Sequence, residues 1–217
     1  MKPIYLDIET VPGHAQWIHD YIKSNVSPPG NIKKQESIDK WWDEKSETAI
    51  QEAHQKCALD GAMNQIVCIG CASENEEVKT FTGLEEKILK DFFQWIDNMG
   101  FSATTYVGHN IAGFDLEVIK KRAIILGVPV PNMFRQALRA KPWDGIIYDT
   151  MLKWDAKKMA SLDKICKALR ITEFDTEISG EHVAALYRDN NLIAIADYCK
   201  TDVEKTRAIY NRMKDVI

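Results

Sequence analysis

The polar and apolar positions of this 217-residue chain change period several times, and each change marks an element. Residues 3–8 (PIYLDI) alternate and are rich in β-branched and aromatic side chains, which predicts a short strand that ends as it delivers Asp7 and Glu9. From about His14 to Asp60 the chain turns polar, is broken at Pro28, Pro29 and Gly30, and then becomes charged and helical in character. That stretch reads as an insertion, a flap or helical segment placed after the first strand. Its Trp41 and Trp42 are expected in core or partner contacts, because aromatic pairs tend to be buried. Residues 65–72 (QIVCIGCA) and 77–81 (EVKTF), joined by the polar turn SENE, predict an antiparallel hairpin. After Gly83, the residues Leu84, Ile88, Phe92, Trp95 and Ile96 fall on one face of a helix that should pack on the sheet.

The second half alternates differently. Residues 104–108 read as a strand running into a loop, followed by a helix from Asp115 that Gly127 closes, with Pro129 and Pro131 beyond. Residues 146–149 (IIYD) predict another strand, Ser161 caps a following helix, and a long amphipathic helix runs from about Leu192 to Val216. A run of strands followed by strands alternating with helices predicts an α/β fold. We expect a single domain over residues 1–217, built on a mixed five-stranded sheet flanked by helices and compatible with a ribonuclease-H-like core. Fold alone does not decide function.

Composition narrows the classes. At 45% hydrophobic residues the chain can bury a core, and no apolar run approaches the roughly 20 residues that cross a bilayer. The start, MKPIYLDIET, lacks the basic and apolar regions of a secretion signal, and five cysteines form an odd set without scaffold density, so a reduced, cytoplasmic protein is expected. A net charge of −4 argues against coating nucleic acid by bulk electrostatics, but the charge is uneven. Residues 1–100 carry 10 Lys, no Arg and 17 acidic residues; residues 101–217 carry 18 basic and 15 acidic ones. A polyanion would dock more easily on the second half, where residues 120–158 are the most basic stretch.

Three segments could carry chemistry. Asp7 and Glu9, two apart on a strand, point to one face and can offer oxygen to a hard cation, although such a pair is also common as a solvated strand end. In GHNIAGFDL (108–116), Gly, Asn and Asp suit turns and caps, but the apolar Phe114 beside Asp115 does not suit a solvated loop. In YCKTD (198–202), Tyr198 and Asp202 lie one helical turn apart. A zinc reading of His54-x-x-Cys57 with Cys68-x-x-Cys71 is disfavoured, because a spacing of three on a strand sends Cys68 and Cys71 to opposite faces.

Taken in order, an Asp-x-Glu strand, an Asn-x-x-x-Phe-Asp loop and a Tyr-x-x-x-Asp helix resemble the DEDD exonuclease superfamily. The resemblance is most detailed with 3′–5′ exonuclease domains related to the proofreading domains of family B DNA polymerases. It extends through IIYDTM (146–151), SLDKICKAL (161–169), ISGEHVAALY (178–187) and YCKTDVEKTRAIYNRM (198–213), and leaves residues 14–60 unmatched. It implies a ribonuclease-H-like fold and hydrolysis of single-stranded DNA from its 3′ end to nucleoside 5′-monophosphates, in proofreading, repair or replication. It also implies two Mg²⁺ or Mn²⁺ ions held by Asp7, Glu9, Asp115 and Asp202, with Asp7 bridging both. Tyr198 would orient the attacking water and mark the tyrosine subclass; the histidine subclass would need His where Asp197 stands. Ile8, Thr10, His109, Asn110 and Phe114 would line the terminal nucleotide. Arg135 and Arg139, interleaved with Phe134 and Trp143, are expected to guide the strand. The alternatives are an exoribonuclease using the same site, or a catalytically silent nucleic-acid-binding module that keeps the fold. With no polymerase domain following Ile217, a proofreading role would be served as a separate chain alongside a replication or recombination protein.

Overall fold

The structure is a computed structural model that describes residues 2–100, 104–141, 144–174 and 176–216. Strand β1 (Lys2–Pro12) runs well past the predicted end at residue 8, because it gains a long antiparallel partner in β2 (Asn64–Ser73). Strand β3 (Lys79–Thr82) pairs antiparallel with β2, while β4 (Thr104–Gly108) lies parallel to β1 and β5 (Ile147–Asp149) parallel to β4. The order is β3-β2-β1-β4-β5, the mixed five-stranded sheet expected from the sequence.

Alternation along β1 divides the core. Ile4, Leu6 and Ile8 face one layer, where α3 (Glu85–Asn98), α4 (Asp115–Leu126) and α5 (Asn132–Arg139) supply Ile88, Phe92, Ile119 and Phe134. Tyr5 and Val11 face the other, covered by α8 (Gly180–Arg188) and α9 (Leu192–Met213). Helix α9 fits against β2 because residue 70 is glycine: a Cβ there would stand 2.8 Å from Cys199 Sγ and 3.0 Å from Val203 Cγ2. Since Gly70 is paired with Asp7, this close approach sets α9 directly over the acidic end of β1.

On the first layer, the buried Glu85 accepts the Ile66 N–H at 2.7 Å and both ends of the Arg122 guanidinium at 2.7 and 2.8 Å. One carboxylate thus fixes α3 and α4 to β2. Removing either partner of such a buried pair typically costs about 3–5 kcal/mol.

Several expectations change in detail. The basic and aromatic stretch FRQALRAKPW is helical as far as Arg139, within α5, whose Met133, Phe134 and Ala137 are buried, while Trp143 lies outside the described residues. The insertion is helical, with α1 (Gln16–Asn25), α2 (Gln35–Lys56) and a 3₁₀ turn at Cys57–Leu59. It carries its own small cluster of Ile18, Ile22 and Cys57. Trp42 is exposed and Trp41 half-buried, packed edge-on against each other at 5.2 Å, so the pair is not a core anchor. Gly127 closes α4 in the left-handed conformation, and the Ser161 hydroxyl caps α7 (Leu162–Leu169), as the sequence predicts. No helix among the described residues is long and apolar enough to cross a membrane.

Candidate active site

The four predicted acids arrive from three elements at one end of the sheet. Strand β1 pairs with β4 only as far as Tyr5↔Val107, so beyond that point its edge is released. The freed N–H of Ile8 donates to Asp115 Oδ1 at 3.1 Å, which seats the first residue of α4 against β1. Asp7 and Glu9 point to the α9 side, and a register shift between Glu9 and Thr10 interrupts the pairing with β2 before it resumes at Thr10↔Ile66. From α9, the Cys199 thiol donates to Asp7 Oδ2 at 3.4 Å, and Asp202 accepts from Lys205 Nζ at 3.1 Å.

Crowding so many acids in a dry place costs energy, and their proton affinities register it. Burial first, then the charges of Glu9, Asp202 and Asp115, hold the Asp7 carboxyl well above the usual carboxylate range. Glu9 is raised in the same way by burial and by Asp202. Burial, reinforced by Asp149, pushes Asp115 up to about 7, against the lowering effect of its own N–H and that of Ile8. Asp202 is also raised by burial, although Lys205 and the Tyr198 hydroxyl both favour its charged form. Burial and these acids drive the Tyr198 phenol far up, so it keeps its proton and donates to Asp202. The Cys199 thiol is likewise pushed up by burial and stays protonated, an orienting donor to Asp7 rather than a thiolate.

The loop that delivers Asp115 is built by Asp149 at the end of β5. Its buried carboxylate accepts the N–H groups of Asn110 (3.0 Å) and Ala112 (3.2 Å) while capping α6 (Thr150–Trp154) through Met151 and Leu152. Asn110 takes the left-handed conformation, φ 60°, and its Oδ1 would stand 2.6 Å from a Cβ at residue 113, which is therefore glycine. Phe114 is half-buried against the core, which accounts for an apolar residue beside Asp115. His109 does not open onto the carboxylates as a free donor: Nε2 lies 2.9 Å from the Ala160 carbonyl and Nδ1 3.0 Å from Thr150 Oγ1. A carbonyl only accepts, so Nε2 carries the proton, and burial lowers the pKa of the ring to keep it neutral. The Thr10 hydroxyl is likewise given to the Ala58 carbonyl at 2.7 Å, leaving its main chain beside the site.

Arg135 and Arg139 are not brought to this cluster. Helix α5 starts where Met133 meets Thr104, at the opposite end of β4 from the loop that carries Asp115. Sequence reasoning missed Asp149, Cys199 and Lys205, whose roles depend on partners far away in the chain. The zinc reading of the cysteines fails as expected, since Cys68 packs on the α9 side and Cys71 on the α3 side.

Residues 58–216 match the family described as predicted 3′–5′ exonucleases related to the exonuclease domain of PolB. The chain belongs to this family. The match begins after β1, so Asp7 and Glu9 lie outside it, although the sheet places them against Asp115 and Asp202 from within it. The fold is that of the PolB exonuclease domains, ribonuclease-H-like: the family B DNA polymerase of the hyperthermophilic archaeon Pyrobaculum calidifontis superposes with a TM-score of 0.61 at 15% identity. That similarity spans 99% of this chain but 24% of the polymerase. No curated protein matches the sequence.

Proposed function

We propose that this exonuclease-family domain removes nucleotides one at a time from the 3′ end of single-stranded DNA, releasing nucleoside 5′-monophosphates. In this reading two divalent cations, Mg²⁺ or Mn²⁺, are held by Asp7, Glu9, Asp115 and Asp202. The observation that carries it is the convergence of four carboxylates from β1, α4 and α9, each raised by burial, with Asp7 raised by the other three as well. Such a cluster is costly unless cations neutralise it, and an all-oxygen donor set suits hard divalent ions.

When bound, the cations would generate the nucleophile from water and neutralise charge on the scissile phosphate and leaving oxygen. Asp7, hemmed in by Glu9, Asp202 and Asp115, would be the central ligand of the four. Cys199 holds it in that orientation. Tyr198 spends its proton on Asp202 and keeps lone pairs with which to accept from the attacking water and aim it. The main chain at Ile8 and Thr10 would meet the terminal 3′ hydroxyl, and Asn110 and Phe114 would border the last nucleotide. His109, Thr150 and Asp149 act as positioning residues for that loop.

The deciding experiment follows 5′-labelled and 3′-labelled single-stranded DNA, and RNA of the same sequence, with Mg²⁺ or Mn²⁺, beside Asp7→Ala. Stepwise shortening of the 5′-labelled DNA, slowed by at least about 10²-fold in Asp7→Ala, is the expected result. Faster shortening of the RNA would reassign the substrate, and intact DNA and RNA after incubation with folded protein and metal would remove the catalytic reading.

A further inference from the structure

Away from the carboxylates, the insertion gathers three histidines from three places: His14 in the turn after β1, His19 in α1 and His54 near the end of α2. One ring nitrogen from each lies within 4.8 Å of those of the other two. The rings of His19 and His54 stack at 4.8 Å, and His14 sits 5.6 Å from His54. We propose that His14, His19 and His54 form a zinc site that fastens the inserted helices to the strand carrying Asp7 and Glu9.

The hydrogen bonding of His54 supports this. Its Nε2 lies 3.0 Å from the Gly13 carbonyl, which can only accept, so Nε2 bears the proton and Nδ1 is left with its lone pair. Metal-binding histidines are typically held in this way, the second ring N–H given to a backbone carbonyl that fixes tautomer and orientation. Tetrahedral zinc at about 2.0–2.1 Å from each nitrogen needs them roughly 3.3 Å apart. The nitrogens, now within 4.8 Å of one another, would have to close by side-chain rotation, and the exposed His14 ring has the room to turn. Three imidazoles make a site for zinc rather than for Mg²⁺, and leave the fourth position to water.

The second line of support is what α2 lacks. None of the residues of this 22-residue helix is buried, and its attachment rests on half-buried Ile50 and Ala53 beside the small Ile18, Ile22 and Cys57 cluster. Small cores of this kind are commonly completed by a metal or a disulfide. A zinc ion at the three histidines would join α1, α2 and the end of β1 at one point. From there the restraint passes to the active end of the sheet: Gly13 N–H donates to the Met63 carbonyl at 2.8 Å, and the Thr10 hydroxyl to Ala58.

The test is zinc binding by the full chain, measured by competition with a chromophoric chelator in excess Mg²⁺, because the carboxylates can also take divalent ions. The comparison is among the parent, His14→Ala, His19→Ala, His54→Gln and Asp202→Asn. The proposal expects one zinc per chain, weakened by at least about 10-fold in each histidine variant and retained in Asp202→Asn. A zinc-dependent rise in Tm should follow the same pattern. His14 is exposed, so its variant should fold and keep the comparison valid. Zinc lost in Asp202→Asn and kept in the histidine variants would assign the ion to the carboxylates and overturn the proposal, as would no zinc bound by the parent.

Discussion

Asp202 is the acid whose surroundings say most about the division of labour. It receives Lys205 Nζ at 3.1 Å and the Tyr198 hydroxyl from its own helix, and Lys205 in turn is anchored by Asp163 at 2.7 Å. Lys205 partly compensates the negative cluster, so Tyr198 is not needed to neutralise it and is free to act on water. Replacing Tyr198 with Phe should therefore leave Mg²⁺-dependent thermal stabilisation intact while lowering the single-turnover rate by about 10²-fold. Equal losses in metal stabilisation and rate would instead make the phenol part of the metal site. The pairing of Tyr198 with Asp202 was legible in the sequence, because one helical turn is a local relation. The thiol of Cys199 on Asp7 and the ammonium of Lys205 on Asp163 were not, since nothing in local periodicity relates residues brought together only by packing. By sequence Lys205 is one more charge on a polar helix; in the fold it is buried.

Among the strands of the sheet, β5 has the fewest residues and the widest consequences. It ends on Asp149, which accepts two N–H groups from the 110–112 turn and two from the first turn of α6. Asp149→Ala removes a helix cap and strands buried donors, so a loss of at least about 2 kcal/mol in denaturant unfolding is expected. Because the same turn delivers Asp115, the Mg²⁺ concentration needed for half-maximal activity should rise. An unchanged stability would show that the turn is held by other contacts. The sequence displayed IIYD as a strand but could not show what its acid binds. It likewise displayed the long periodic helices α3, α4 and α9, whereas α1 and α5 went unread. In α1 only Ile18 and Ile22 are buried, and in α5 the apolar Met133, Phe134 and Ala137 are interrupted by Arg135 and Gln136. Short helices with two or three buried positions leave too little period to detect.

For the molecule as a whole, the parallel strands β1, β4 and β5 all bring their C-terminal ends to the acidic site, so folding must assemble the repulsion along with the core. The cost has a definite pH signature. An unfolded aspartate titrates near its ordinary value of 3.8, whereas Asp115 in the folded chain titrates at about 7, and Asp7 and Glu9 are raised as well. Between those values the folded state holds more protons than the unfolded state, so stability is fully present below the lower value and is lost as pH rises through the upper one. With divalent ions chelated, Tm should accordingly fall as pH is raised from about 4 to about 7. Adding Mg²⁺ at the upper end should restore most of it, because the cation then compensates the ionised acids and binds only the folded arrangement. Asp115→Asn removes one titrating group and should flatten the metal-free slope while weakening the Mg²⁺ rescue. A Tm that climbs over this interval in the chelated protein, or a slope that Asp115→Asn leaves unaltered, would mean that the acids are not the source of the strain, and the four carboxylates would lose their claim to a shared metal site.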